Sequence, residues 1–299
     1  MRPSMKNYIW LIGVIVLFTG KLSAFNQPPT NFGATTFLDG APAGLYYMNY
    51  VLFIDGNKAV DNNGNTIPGN ARFNALTQLN QIAYISPHKF FGGHLGGEVV
   101  LPIVALSAAG SFGPIPLTVN TAGAGDIVVG PFIQWYGQLL GKPLMQRVEF
   151  DFTFPTGKYD KLKLINPGSN INSYEPYYSV VWIFSERWET SWRFFYMLNG
   201  KNKDTGIQPG NLFHTNYAIS YALNPKLRLG ATGYLINQMT DDELNGVKLA
   251  NSKESAWALG PGLVYMGNGL ILMLSHPIEF NVENRFQGAR TTLQLIHKF

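Results

Sequence analysis

Val148-Glu149-Phe150-Asp151-Phe152-Thr153-Phe154 alternates without a slip between apolar and polar residues. Successive side chains of an extended chain point to opposite faces, so this stretch makes a strand with four apolar groups on one face. Its other face carries two carboxylates and a hydroxyl. Such a strand fits either a soluble sandwich or lipocalin-like barrel, or a barrel standing in lipid with its polar face turned inward. Composition favours the second. The chain has 20 Phe, 15 Tyr and 6 Trp, and only 13% of its residues are charged. A chain so aromatic and so poor in charge needs apolar surroundings for much of its surface. No apolar run after residue 24 is long enough for a spanning helix, and the other structure that satisfies its own backbone in hydrocarbon is a closed barrel.

Working outward from that stretch, the same alternation recurs. Leu227, Leu229, Ala231 and Leu235 alternate with Lys226, Arg228, Thr232 and Tyr234, and Phe213, Tyr217, Ile219 and Tyr221 alternate with His214, Asn216 and Ser220. Twelve such stretches are expected, near 44–54, 76–86, 94–106, 124–136, 147–154, 174–184, 189–199, 212–223, 226–238, 255–266, 269–280 and 289–299. The links between them alternate in length. Short links are Pro87–Gly93, Gly137–Gln146, Ser185–Trp188, Asn224-Pro225 and Gly267-Asn268; long links are Asp55–Ala75, Ser107–Gly123, Pro155–Ser173, Gly200–Asn211, Met239–Glu254 and Asn281–Gly288. Short periplasmic turns, longer external loops and an even strand number are the pattern of outer-membrane barrels. Trp135, Tyr136, Trp182, Trp188, Trp257 and Tyr265 stand near strand ends, where membrane interfaces favour rings with a polar handle. Pro131 and Pro277 fall inside expected strands, and each marks a bulge or local opening because it deletes a ladder hydrogen bond.

Residues 1–24 read as a secretory signal peptide: Arg2 and Lys6 precede the apolar run Ile9 to Phe18, and Leu22-Ser23-Ala24 ends on small residues. Cleavage is expected after Ala24, leaving residues 25–299 as a single barrel domain that begins with a polar lead-in, Phe25 to Ala43. The cleaved chain keeps 19 Lys+Arg against 18 Asp+Glu, and with few basic clusters it offers no phosphate-tracking face for nucleic acid. There is no cysteine, which removes disulfides, thiolate metal sites and cysteine nucleophiles.

The chain ends Ala289-Arg290-Thr291-Thr292-Leu293-Gln294-Leu295-Ile296-His297-Lys298-Phe299. This segment resembles the C-terminal signal of outer-membrane proteins, with Leu293, Leu295, His297 and Phe299 on one face; His297 stands where an apolar or aromatic residue is usual. The resemblance implies recognition by the barrel-assembly machinery. A second resemblance rests on Gly44-Leu45-Tyr46-Tyr47, Gly125-Asp126-Ile127-Val128-Val129-Gly130-Pro131, Phe154-Pro155-Thr156-Gly157-Lys158-Tyr159 and Leu223-Asn224-Pro225-Lys226-Leu227-Arg228-Leu229-Gly230. Together these are similar to the family named for the meta-pathway of phenol degradation. That resemblance implies an outer-membrane barrel that takes up small apolar or aromatic compounds.

Strand phase puts Glu98, Asp126, Glu149, Asp151, Glu175, Arg193, His214 and Arg228 on inward faces. Such a set can line an open pore and select solutes by charge, or it can fill a narrow lumen with ion pairs, leaving a structural or surface-interaction barrel. Sequence leaves both open. The five histidines, 88, 94, 214, 276 and 297, lack metal-ligand spacing. His214 and Ser220 share a strand face about 20 Å apart, too far for a hydrolase pair. The glycine-rich pieces are followed by strands rather than by the helix N-terminus a phosphate cradle needs. Asp55–Asn65 lacks the spaced carboxylates of a known calcium loop. The expectation is a channel or transporter, not an enzyme, with no cofactor and no metal.

Overall fold

The computed structural model describes residues 27–299 apart from positions 29, 36, 114 and 268. The proposed signal peptide and its cleavage point lie outside the described residues. Twelve antiparallel strands span the fold: β1 Gly44–Ala59, β2 Arg72–Phe90, β3 Gly93–Phe112, β4 in two pieces (Ile115–Ala124 and Ile127–Leu139), β5 Lys142–Phe154, β6 Ser173–Trp182, β7 Trp188–Asn199, β8 Leu212–Asn224, β9 Leu227–Gln238, β10 Ser255–Gly267, β11 in two pieces (Leu270–Ser275 and Ile278–Glu283) and β12 Phe286–Lys298. Each pairs with its neighbour in sequence, and β1 closes on β12 from Tyr46↔Lys298 to Ala59↔Phe286. Closure leaves no unpaired edge in lipid.

The alternation that marks the strands in sequence sorts their faces in space. Along β7, Glu189, Ser191, Arg193, Phe195, Met197 and Asn199 are buried, while Trp188, Trp192, Phe194, Tyr196 and Leu198 are exposed. The exposed band is apolar on every side, with Leu76, Leu101, Phe150, Tyr174, Ile219, Leu259 and Leu293 among its members. This is an inside-out soluble protein: large apolar groups face outward and carboxylates inward. The chain is therefore a bacterial outer-membrane β-barrel. Ile219 sits outward near the middle of β8. An arginine there should cost about 2–4 kcal/mol of folding free energy, read from equilibrium unfolding in lipid vesicles, whereas valine should leave stability nearly unchanged.

At the end of the barrel holding the C-terminus, links are tight. Phe91-Gly92 and Leu140-Gly141 have positive φ at both positions, 47° and 74° and then 53° and 72°. Paired positive φ matches the right-handed twist of the flanking strands, so pairing runs further than the sequence suggests and the links Pro87–Gly93 and Gly137–Gln146 shrink to two residues. Indole rings seal this end. Trp135 donates to the Phe91 carbonyl (3.1 Å) and Trp182 to that of Leu139 (3.3 Å).

At the opposite end the expected long links divide into two kinds. Residues 60–71, 155–172, 200–211 and 239–254 are loops, with short pairings between Ile207–Gln208, Glu243–Leu244 and Val247–Lys248. Ser107–Gly123 is instead a continuous hairpin, paired through Ser107↔Asn120 and Ala109↔Thr118, whereas Asn281–Gly288 is the expected link, with Asn281 and Asn284 at positive φ and Ile278↔Ala289 as the last β11–β12 pair before it. Ser111, Pro116 and Asn120 lie in paired strand in that hairpin because the ladder continues past the membrane. Pro277 does divide β11, but the wall is stitched on both sides: His276 N donates to Pro261 O and Arg290 N to Pro277 O, each at 3.0 Å. Pro131 stays paired with Gly97 on β3. Toward β5 the pairing lapses between Val129↔Phe152 and Phe132↔Glu149. A further break, at Gly125-Asp126 in β4, lies opposite Pro102 of β3, which accepts from Gly125 N (2.9 Å) but has no N–H to return.

Candidate functional site

The lumen is not empty. Residues 27–43, read from sequence only as a polar lead-in, run back from the start of β1 through the barrel to its loop end. Near the short-turn end, Gln134 donates to the Ala41 carbonyl (2.8 Å), Tyr136 donates to the same carbonyl, Tyr46 bonds to Pro42 O (2.6 Å) and Lys298 to Ala43 O (2.9 Å). Halfway up, the Arg193 guanidinium grips both carboxylate oxygens of Asp39, and Ser179 donates to Oδ2 (3.1 Å). The Arg193 charge and hydrogen bonds offset the cost of burying the Asp39 carboxylate. A bidentate pair of this kind fixes orientation as well as charge.

Above it the Phe37 ring lies in a hollow made by glycines: a Cβ at Gly262 would stand 2.6 Å from the ring, and one at Gly230 2.9 Å. Higher still, Asn216 receives Gly33 N (2.8 Å) and donates to Asn31 O and Thr35 Oγ1 (2.9 Å each). Phe32 meets His214 edge-on at 4.9 Å, and the guanidiniums of Arg285 and Arg290 stand 5.5 Å from its ring centre. At the top, Asn199 donates to Gln27 (2.9 Å). The segment is thus held by β1, β4 and β12 at its short-turn end and lies along the wall of β6–β12 above it.

Against the other wall it leaves a cavity of about 670 Å³. Leu52, Ile54, Phe73, Ala75, Val104 and Leu106 of β1–β3 form its sides, Leu162, Leu164 and Ile165 of the 155–172 loop its roof, and Phe32 and Ala34 its inner face. Asp126 holds the roof: its carboxylate accepts Gly157 N (2.8 Å), Ser169 N (2.7 Å) and Ser169 Oγ (2.6 Å). The floor is polar, with Gln81, Glu98, Asp151, Glu175 and Arg193.

All eight inward candidates are buried, but they do not form one array. Glu98, Asp126, Asp151, Glu175 and Arg193 reach the cavity. Glu149 lies beside them with Arg147 (3.3 Å) and Tyr177. His214 bonds to Glu175 (2.6 Å) and stacks on Phe195. Arg228 is remote, near the short-turn end, bonded to Ser220 Oγ (2.8 Å) and to the Arg187 carbonyl (3.1 Å). Ser220 bonds to Glu189 (2.6 Å), so the described residues bring no serine, histidine and acid together from this strand. The C-terminal residues Leu293, His297 and Phe299 face outward, His297 and Phe299 in edge contact at 5.0 Å.

Several participants escaped the sequence reading. Arg147 shares the parity of Glu149 and Asp151 and was legible in principle. A second knot, Arg285 with Glu254 and Glu279 (3.2 Å each) and Tyr234 to Glu279 (2.7 Å), comes from the loop ends. Asp39 carried no signal, since its segment has no period.

The family model described as "Putative MetA-pathway of phenol degradation" matches residues 56–295. The chain belongs to that family. The match covers every strand of the phenol-degradation family barrel except most of β1, of which it includes only residues 56–59, and the last residues of β12, and it leaves out the segment in the lumen. Among solved structures, the crystal structure of an outer membrane channel from Pseudomonas putida F1 superposes with a TM-score of 0.76 at 15% identity, covering 91% of this chain and 100% of that one. The transport unit of the autotransporter AIDA-I from Escherichia coli gives 0.49 at 10% identity, covering 88% and 92%. The translocator domain of the autotransporter NalP from Neisseria meningitidis gives 0.46 at 12%, covering 88% and 91%. A search of curated protein sequences finds no match. This family member shares the fold of the Pseudomonas putida channel.

Proposed function

We propose that this barrel is a passive carrier of small apolar compounds, aromatic ones among them, across the outer membrane. The observation that carries the reading is the 670 Å³ cavity between the Asp39-bearing segment and the wall of β1–β4. Its sides along β1–β3 and part of its roof are aliphatic and aromatic, although Lys161, Lys163 and Asn166 also stand in the roof, whereas a water-filled pore would keep its lumen polar throughout. A pocket of this size, with an apolar side along β1–β3 and charged groups at its floor and along its β10–β12 side, suits a small organic molecule with an apolar body. The family description, with its reference to phenol degradation, agrees with that choice of cargo. Glu98, Asp151, Glu175 and Arg193 then act as the polar floor that such a molecule meets after the apolar chamber. Residues 1–24 direct export, and the outward row Leu293, Leu295 and Phe299 serves the barrel-assembly machinery.

The test is entry of labelled solutes into liposomes holding the folded mature protein. Neutral aromatics should enter faster than into empty liposomes, with benzoate-like acids slower and sugars close to background. Equal entry of sugars and aromatics would show a plain water-filled pore and defeat the reading. Entry of none of them, from inserted protein, would favour a structural barrel whose lumen is permanently filled.

A further inference from the structure

Three carboxylates converge at the cavity floor, Glu98 and Asp151 lining it and Glu149 beside them. Glu98 on β3, Glu149 and Asp151 on β5 each direct an oxygen into one spot, all within 4.8 Å of one another. The cause is a glycine. Gly130 of β4 pairs with Glu98 on one side and lies between β3 and β5, where the ladder to β5 lapses. With no side chain at 130, the acids of the two flanking strands lean over it, and a Cβ added there would collide with Oδ1 of Asp151 and Oε1 of Glu149.

Neighbouring cations do not serve these oxygens. Arg147 spends its donors on Gln134 Oε1 (2.8 Å) and on Glu149 Oε2 (3.3 Å), and Arg193 spends its own on Asp39 and the Tyr177 hydroxyl (3.3 Å). Glu149 Oε1 and Asp151 Oδ1 remain buried without any hydrogen-bond partner, in side chains whose residues are 0% and 8% exposed. An unpartnered buried carboxylate oxygen is strongly disfavoured. The charge balance points the same way. Counted as ionised, Asp39, Glu98, Glu149, Asp151 and Glu175 face Arg147, Arg193 and His214. Even with His214 protonated, two negative charges are left over.

We propose that Glu98, Glu149 and Asp151 form a binding site for one hard divalent cation of the calcium class, reached from the cavity floor. All-oxygen donors select calcium, magnesium or manganese over softer metals. Calcium bonds of about 2.3–2.6 Å span an oxygen cluster of this width, with water completing the shell, whereas magnesium needs a tighter octahedron. The site is independent of what the cavity carries, because the proposal concerns binding to the resting barrel.

Calorimetric titration of the EDTA-stripped, folded mature protein in detergent with calcium chloride tests it. One saturable site per chain is expected, with a Kd below about 10⁻³ M and weaker binding of magnesium. Asp151→Asn and, separately, Glu98→Gln should each weaken calcium at least about tenfold, the scale of losing one charged ligand. Asp160→Asn, on the external loop, should leave it unchanged. Folding of each variant is read from the migration difference between boiled and unboiled samples, and if one substitution prevents folding the other supplies the result. No saturable calcium binding, or binding unaltered in a folded Asp151→Asn or Glu98→Gln protein, overturns the proposal.

Discussion

Deleting residues 27–43 turns an occluded barrel into an open one: single-channel conductance in planar bilayers rises about tenfold or more, as a twelve-stranded lumen exchanges packed chain for water. The barrel itself should survive. Its ladder closes through β1 and β12 without help from the segment, and the inward groups that lose partners, such as Asn216, Gln134 and Arg290, are polar and become hydrated. The boiled-versus-unboiled migration difference confirms folding, and bilayer recordings read the pore. The shortened chain should also admit small sugars in liposome swelling. Unchanged conductance from a folded, inserted deletion variant would mean that the segment does not control the lumen.

Asp39→Asn is the smallest change expected to have a comparable effect. Arg193 would keep its charge and its buried place but lose the carboxylate that holds both of its edges, with side-chain exposures of 10% and 13% for the pair. Breaking a buried pair by removing one partner costs about 3–5 kcal/mol. That strain falls on the junction of segment and wall, not on the hydrogen-bonded ladder. The segment should therefore become cleavable by protease added to the folded protein, and conductance should flicker toward the open level. Reversing the pair, Asp39→Arg with Arg193→Asp, should restore most of the protection. Arg193→Lys should not, since an ammonium lacks the planar fork. The same contact changes what charge reversal at Arg193 and Arg228 can report. Arg193→Glu would set two carboxylates against each other and unlatch the segment, while Arg228 stands away from the cavity, so neither tests a simple charge filter.

How far the sequence could be read follows from the distance over which each feature is specified. β5 and β7 announce themselves because a period of two is local, and one face of each must suit lipid. The hairpin at Ser107–Gly123 was misread as a loop: serine, glycine, proline and asparagine suggest turns, and only pairing with the opposite strand shows that the ladder continues. The segment 27–43 was illegible as a plug. It has no period, and its partners are far away in sequence, with Asp39 held by Arg193 and Phe32 by Arg290. The carboxylates at 98, 149 and 151 were each placed inward by parity. That they converge depends on Gly130 standing between them, which requires the register of three strands.

The account rests on the apolar cavity beside the Asp39 segment, and equilibrium binding of a naphthalene-based fluorescent probe to the mature protein in nanodiscs tests it most directly, with empty nanodiscs as reference. Ala75 is the substitution to compare, being buried on β2 with its methyl group on the cavity wall. One saturable site per native chain, abolished by Ala75→Trp in a protein that still folds, is the predicted result. Probe binding that does not saturate above the empty-nanodisc level, or that survives Ala75→Trp undiminished, would contradict the account.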